Sequence, residues 1–281
     1  MEDVRCSAEL SFLRAEIRQL RIILNRETAK LDVLLKRRGF RIYKKEPGED
    51  LLLPIPRFRT GFYRRLQRYS FRLFLRDVIQ HQEQFTLQDV SRYATPRVAA
   101  EYLDYLRSIG LVRKKADIFM LSRGRIKSFG ETLEWYVTEL FKREFGSDAV
   151  WGIKFKRPKV GGDYDVIAKI GESLLYVEVK SSPPKQILDN EIAAFLDRVA
   201  DLTPEVSVFF IDTELRMKDK LVPMFEQELR KRRLTLKIQR IERELFAVGS
   251  SIFIMNSKEA ILRNFESVLS HYYRRTTGEV L

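Results

Sequence analysis

Between Ala8 and Arg38 apolar residues return every three or four positions: Leu10, Leu13, Ile17, Leu20, Leu24, Leu31 and Leu34, with Glu27 the one polar interruption. That spacing predicts a long amphipathic helix, and four heptads of an a/d seam suit a coiled coil between two copies of the chain. Phe12, Ile23 and Leu35 widen the stripe, which equally suits a helix packed on its own domain. Pro47, Pro54 and Pro56 predict a connecting loop over 46–60. Helices are expected at Tyr69–His81, with Phe71, Phe74, Leu75 and Val78 inward, and at Leu87–Tyr93 behind Thr86 as N-cap. A third, Pro96–Ile109, begins at a Thr95-Pro96 start and stops at Gly110. The run LVRKKADIFMLS predicts a hairpin with Arg113, Lys114 and Lys115 near its tip. From Gly130 a helix turns Leu133, Val137, Leu140 and Phe141 inward and ends before Gly146. A strand over 149–156 leads into the basic loop 156–159. Further on, a helix at 188–202, a strand at 205–213 and a helix at 217–234 are expected, the last broken or kinked at Pro223. A strand at 251–255 and a helix at 258–273 complete the pattern.

Two further runs, DYDVIAKI (163–170) and SLLYVEVK (173–180), read as strands joined by Gly171-Glu172, and glycine first in a two-residue loop suits a type II′ turn. That turn sets Ile170 opposite Ser173, and counting outwards sets Asp165 opposite Glu178 and Asp163 opposite Lys180. Like charges directly opposed on a hairpin are destabilising. A cation held between the two carboxylates would compensate, with the Val179 carbonyl as a third oxygen ligand in an open magnesium or manganese site. Lys180 shares the face of Glu178 because strand side chains alternate. A lysine there would orient attacking water and neutralise charge developing on a phosphate. The plainer reading is a strand pair whose charges face solvent, with Asp163–Lys180 as a surface ion pair.

Asp, a gap, then Glu-X-Lys on neighbouring strands resembles the PD-(D/E)XK, or restriction endonuclease-like, nuclease superfamily, with Tyr164 where a proline usually precedes the Asp. The resemblance covers about residues 130–213, whose helix–hairpin–helix–strand order is the superfamily's core. It implies catalytic roles for Asp165, Glu178 and Lys180, with Asp165, Glu178 and Val179 as metal ligands. It also implies a glutamate on the preceding helix, Glu134 by its spacing from Gly130, with Glu131 as the fallback. Lys185 and Gln186, just past the Glu-X-Lys strand, are further candidates. Residues 69–125 resemble the winged helix-turn-helix class in order and spacing. Its second helix would enter a DNA major groove with Arg97, Glu101, Asp104 and Arg107 outward.

Charge points the same way. The net charge is +13 with a pI near 9.8, which suits a polyanionic partner, most simply DNA. Residues 36–76 hold thirteen cations against three acids, interleaved with Phe40, Tyr43, Phe58, Phe62, Tyr63 and Tyr69. Arg64, Arg65 and Arg68 are its candidate phosphate contacts, beside Arg97, Arg107, Arg113, Lys114 and Lys115 in the winged-helix segment. No apolar run approaches a membrane span, the N-terminus lacks a secretion-signal pattern, and Cys6 is the only cysteine, so an intracellular (cytoplasmic) protein without disulfides or a membrane anchor is expected. The expected architecture is α/β. A coiled-coil-like helix over 1–45 precedes a basic connecting segment over 46–68 and a winged-helix domain over 69–127. A nuclease-like mixed sheet flanked by helices fills 128–281. The expected activity is Mg²⁺- or Mn²⁺-dependent endonucleolytic cleavage of duplex or branched DNA, with the N-terminal helix pairing two protomers. The rivals are a non-catalytic DNA-binding regulator on the same fold and a nuclease acting on RNA.

Overall fold

A computed structural model describes Glu16, residues 29–156 and residues 159–278. Its centre is one eight-stranded mixed sheet, in the order β1-β4-β5-β6-β7-β10-β9-β8. The strands are β1 (Ile42–Lys44), β4 (Ala149–Phe155), β5 (Tyr164–Ile170), β6 (Ser173–Lys180), β7 (Val206–Ile211), β8 (Ile238–Glu242), β9 (Leu245–Val248) and β10 (Ile252–Asn256). β4, β5 and β6 run antiparallel, β6–β7 and β7–β10 pair in parallel, and β8, β9 and β10 return to antiparallel pairing. A separate hairpin joins β2 (Val112–Lys115) to β3 (Ile118–Leu121).

The helices are α1 (Leu31–Arg37), α2 (Arg59–Leu66), α3 (Tyr69–Gln80), α4 (Pro96–Ser108), α5 (Gly130–Glu144), α6 (Asp189–Leu202), α7 (Leu221–Lys231) and α8 (Ile261–Gly278). Central to the packing is α5. Thr132, Leu133, Trp135, Tyr136, Val137, Thr138, Leu140 and Phe141 are all buried, so it is covered on more than one face, as a helix between other elements is. Leu133, Val137 and Phe141 share one core with the β6 residues Leu175, Val177 and Val179. Trp135 and Tyr136 of the same core pack their rings, tilted, against Phe62 and Tyr63 of α2, at 6.3 and 5.4 Å between ring centroids. Through these contacts α2, α3 and α4 join the core of the large sheet without a break. The other sheet face packs Tyr176, Phe209 and Ile211 against α6, α7 and α1.

Several elements differ from expectation. The helix expected from Ala8 to Arg38 does not run through Lys30, which is extended (φ −62, ψ 154), and α1 starts at Leu31. Leu31, Leu34 and Leu35 bury in the chain's own core, while Leu10, Leu13, Ile17, Leu20 and Leu24 lie outside the described residues. Ile42–Lys44 forms an edge strand instead of helix, and α2 begins at Arg59 inside what the prolines suggested was loop and linker. The short helix expected at Leu87–Tyr93 is one 3₁₀ turn, Gln88–Val90, because Thr86 donates its N–H and hydroxyl to Asp89 instead of capping a helix (2.7 and 2.9 Å). Thr95 does cap α4, accepting from the Val98 N–H. Pro223 falls in the first turn of α7, where no N–H is needed, so the expected kink does not arise. β8 and β9 had no counterpart in the sequence reading.

Candidate functional site

The β5–β6 hairpin keeps the expected register from Ile170↔Ser173 to Val166↔Val177, and the pairing ends there, one residue short of Asp165 and Glu178. Gly171 has φ +60 at the turn. At Asp165 the alternation of β5 breaks, since Val166 packs into one core and Tyr164 into the other. The paired strand breaks at the same level: Trp151 and Ile153 face opposite cores, with Gly152 between them at φ +57. Here the half-buried Asp165 turns between the strands, and its Oδ2 accepts from the Val179 N–H (2.7 Å). A strand residue sends its N–H and C=O to the same side, so the Val179 carbonyl faces Asp165 as well.

Glu178 is 1% exposed and fully engaged. Its Oε1 accepts from Arg198 (2.7 Å) and lies 2.9 Å from Lys180 Nζ, while its Oε2 accepts from the Tyr176 hydroxyl and from Arg198 Nε (3.3 Å). Lys180 also pairs with Glu191 of α6 (3.3 Å). The Asp163–Lys180 ion pair of the plainer reading does not form: Asp163 pairs with Lys154 (3.2 Å) and Lys180 with Glu178 and Glu191. Arg198 escaped the sequence reading. The available signal was a cation on the inward stripe of α6 that holds Ile192, Phe195 and Leu202.

Charge follows this geometry. Burial, then the Glu178 charge, pushes the Asp165 carboxyl up to about 8. Glu134 is also raised well above the carboxylate range, by burial and then by Asp165, Glu131 and Glu178. Burial alone would depress the Lys180 ammonium, but Glu178 and Asp165 more than offset it, so Lys180 stays a cation. Glu134 thus feels the charges of Asp165 and Glu178, and Lys180 feels the same two. Glu131 is tied elsewhere, accepting from the Asp50 N–H (3.0 Å).

An all-oxygen donor set of this kind suits a hard dication such as Mg²⁺ or Mn²⁺. Asp165 Oδ1 makes no hydrogen bond to the described residues, and a dication beside it would favour the ionised forms of Asp165 and Glu134 that burial and their acidic neighbours disfavour. Glu178 fits less directly, since both its oxygens serve the chain's own cations. Among the described residues no three His, Cys, Asp or Glu side chains converge as a metal cage. An ion here would therefore have an open site, and Glu178 would join it only as Lys180 or Arg198 withdraws.

A second charged network lies at the same end of the sheet. Asp212 follows β7, its N–H donates to the Lys180 carbonyl (2.8 Å), and it is 0% exposed. Arg72 Nε donates to both its oxygens (2.9 and 3.0 Å), Arg76 donates to its carbonyl (3.0 Å) and to its carboxylate, and Ser257 donates to Oδ1 (2.6 Å). Arg72, counted in the sequence among the basic segment's cations, is thus a buried structural charge tying α3 to the sheet.

The other candidate cations are scattered. Arg97 and Arg107 lie on the exposed face of α4, but each pairs with an acid of its own helix, Glu101 (3.4 Å) and Asp104 (3.0 Å). Arg113 and Lys115 are exposed on β2, and Lys114 lies 3.8 Å from Asp117. Arg64 and Arg68 line a shallow cleft with Arg143, while Arg65 stacks on the Tyr105 ring (3.9 Å). Lys185 offers its carbonyl to Lys220 (2.8 Å). No helix among the described residues is long and apolar enough to cross a membrane.

No protein-family model matches the chain, and no curated protein matches it. Among solved structures it is similar to Can2 from Sulfobacillus thermosulfidooxidans in complex with cyclic tetra-adenylate, at TM-score 0.45 and 17% identity, covering 86% of this chain and 60% of that one. It is also similar to protein VC1899 from Vibrio cholerae, at TM-score 0.45 and 12% identity, covering 89% of this chain and 61% of that one. The chain spans about three fifths of the length of each.

Proposed function

We propose that this protein is a metal-dependent phosphodiesterase of the PD-(D/E)XK type that cleaves DNA. The observation that carries the reading is the meeting of Asp165, Glu178 and Lys180 where β5 and β6 diverge, within a helix–hairpin–helix–strand order (α5, β4–β6, α6, β7). Asp165, Glu178 and the Val179 carbonyl would hold Mg²⁺ or Mn²⁺. A bound dication would polarise the scissile phosphate and lower the pKa of a coordinated water. Lys180, kept protonated by its carboxylate neighbours, cannot serve as the base. It orients water through its N–H donors and offsets charge developing on the phosphate. Glu191 holds the Lys180 ammonium from α6, and Arg198 fixes Glu178 from the same helix. Glu134 would support a second ion or position water. Arg64, Arg68, Arg113 and Lys115, exposed beyond this site, would contact phosphates.

One observation favours a second reading: Glu178 already has both oxygens satisfied by Arg198, Lys180 and Tyr176. On that reading the fold binds nucleic acid without cutting it. Labelled single-stranded, duplex, flapped and four-way-junction DNA, with parallel RNA substrates, separates the readings when incubated with Mg²⁺, Mn²⁺ or EDTA. We expect metal-dependent cutting that falls by about 10²–10³ or more in Asp165→Asn and Lys180→Ala. Binding without cutting of any substrate under either metal would sink the nuclease reading in favour of the second. Cutting confined to RNA would correct the substrate.

A further inference from the structure

One residue beyond Lys180, the chain enters a cleft that the proposed chemistry does not use. It measures about 580 Å³ and lies between α3 and the exits of β6 and β7. That volume is within the roughly 300–1,000 Å³ of small-ligand pockets. Tyr69, Leu73, Arg76, Asp77 and Gln80 line one wall, at the spacing of a single helical face. Opposite stand Ser181 to Pro183 and Gln186, and Arg92 with Tyr93 closes the side.

Two buried polar atoms in this wall lack partners among the described residues, Asp77 Oδ2 and Arg76 Nε. Asp77 is 7% exposed, and a buried carboxylate oxygen without a donor is costly. Burial raises its pKa, while His81, Arg92 and Arg76 act on it through space and pull it back. Tyr93 is 46% exposed, a ring presented to solvent with the Arg92 guanidinium 5.2 Å from its centroid. An exposed aromatic ring, an acceptor-only carboxylate at depth, an amide at the rim and cations alongside form the combination that holds a splayed-out base.

We propose that this cleft takes one unpaired guanine of the nucleic-acid strand lying at the Asp165–Lys180 site. A carboxylate can only accept, and guanine's Watson–Crick edge offers two adjacent donors, N1–H and the N2 amino group. Adenine and cytosine offer one exocyclic amino group each, and thymine a single ring N–H. Gln80 at the mouth has an amide donor for O6, Tyr93 has a face for stacking, and Arg92 meets the flanking phosphate. The placement beside Lys180 rests on the nuclease reading, whereas base recognition itself does not.

The test measures binding apart from cleavage. The full chain carrying Asp165→Asn, which cannot cut on the reading above, is titrated into fluorescein-labelled oligothymidylates bearing one central guanine, inosine, adenine or thymine. We expect guanine to bind about tenfold or more tighter than inosine, which lacks the 2-amino group, because a site built to receive a donor discriminates against its absence. Asp77→Asn should abolish that ratio. Tyr93→Ala, at an exposed position where folding is not at stake, should weaken all four oligonucleotides alike. Equal binding of guanine and inosine, no binding of any oligonucleotide, or a ratio that survives Asp77→Asn would overturn the proposal. A guanine preference in a protein whose wild type cuts nothing would keep the base pocket and remove the nuclease reading.

Discussion

Asp212 shows how one side chain can carry charge, packing and pH dependence together. Burial would raise its pKa, but the Arg72 and Arg76 charges more than offset this and hold it below the usual carboxylate range. A folded-state pKa below the unfolded one contributes stability above the unfolded value, about 3.8, and loses it as pH falls through the lower folded value. The chain should therefore resist urea at pH 7 and lose this contribution below about pH 4. In Asp212→Asn the buried Arg72 keeps its charge without an anion. We expect a loss of about 3–5 kcal/mol at pH 7, read from urea midpoints. Since the variant has no carboxyl there, its deficit against wild type should shrink steeply as the pH falls below 4. A constant deficit would show that packing, not the ion pair, supplies the stability.

At the scale of elements, β4 and β5 owe their shared break to Gly152. A Cβ there would lie 2.3 Å from Pro47 Cδ and 2.8 Å from Cγ, in a backbone conformation (φ +57) that disfavours side chains. The bare position admits the 46–50 segment, whose Glu46 N–H donates to the Trp151 carbonyl (2.8 Å), and it leaves Glu134 Oε2 3.8 Å from that would-be Cβ. Gly152→Ala should cost about 1–2 kcal/mol for the left-handed conformation alone, and more for the clash with the proline ring. Adding Pro47→Gly should recover the clash but not the conformational part, seen as a partial return of the thermal midpoint. Full recovery would mean that the backbone at 152 relaxes freely.

Over the whole molecule, α5 acts as an internal wall shared by the α2–α4 layer and the large sheet. Because one core passes through it, heat or urea should unfold the chain in a single transition, with intrinsic tryptophan fluorescence and far-ultraviolet circular dichroism coinciding. A fragment of residues 128–281 would expose Phe129, Trp135 and Tyr136, and should show a lower midpoint than the full chain or not fold. Two separated transitions in the full chain would instead mark two independent units despite the shared core.

Much of this was legible in the chain itself. The β5–β6 register followed from Gly171 and strand alternation, which act over neighbouring residues. The capped start of α4 and the inward stripe of α5 were visible for the same reason. The sheet edges were not: β1 is a short strand whose partner β4 lies far along the chain, and the β8–β9 hairpin turns through Arg243-Glu244 with no Gly, Asn or Asp to mark it. Thr86 misled because its bonds to Asp89 compete locally with helix capping. Charged residues were hardest to place. The sequence shows that Arg72, Arg198, Asp77 and Asp212 carry charge, yet whether each meets solvent, a partner or an open cleft depends on which helix packs over which strand end. Local spacing by itself determined the hairpin, its register up to Val166 and Val177, and most helices. Only the tertiary structure decided that Arg198 reaches Glu178, and that α3 covers the strand exits, since both depend on contacts between residues far apart in the chain.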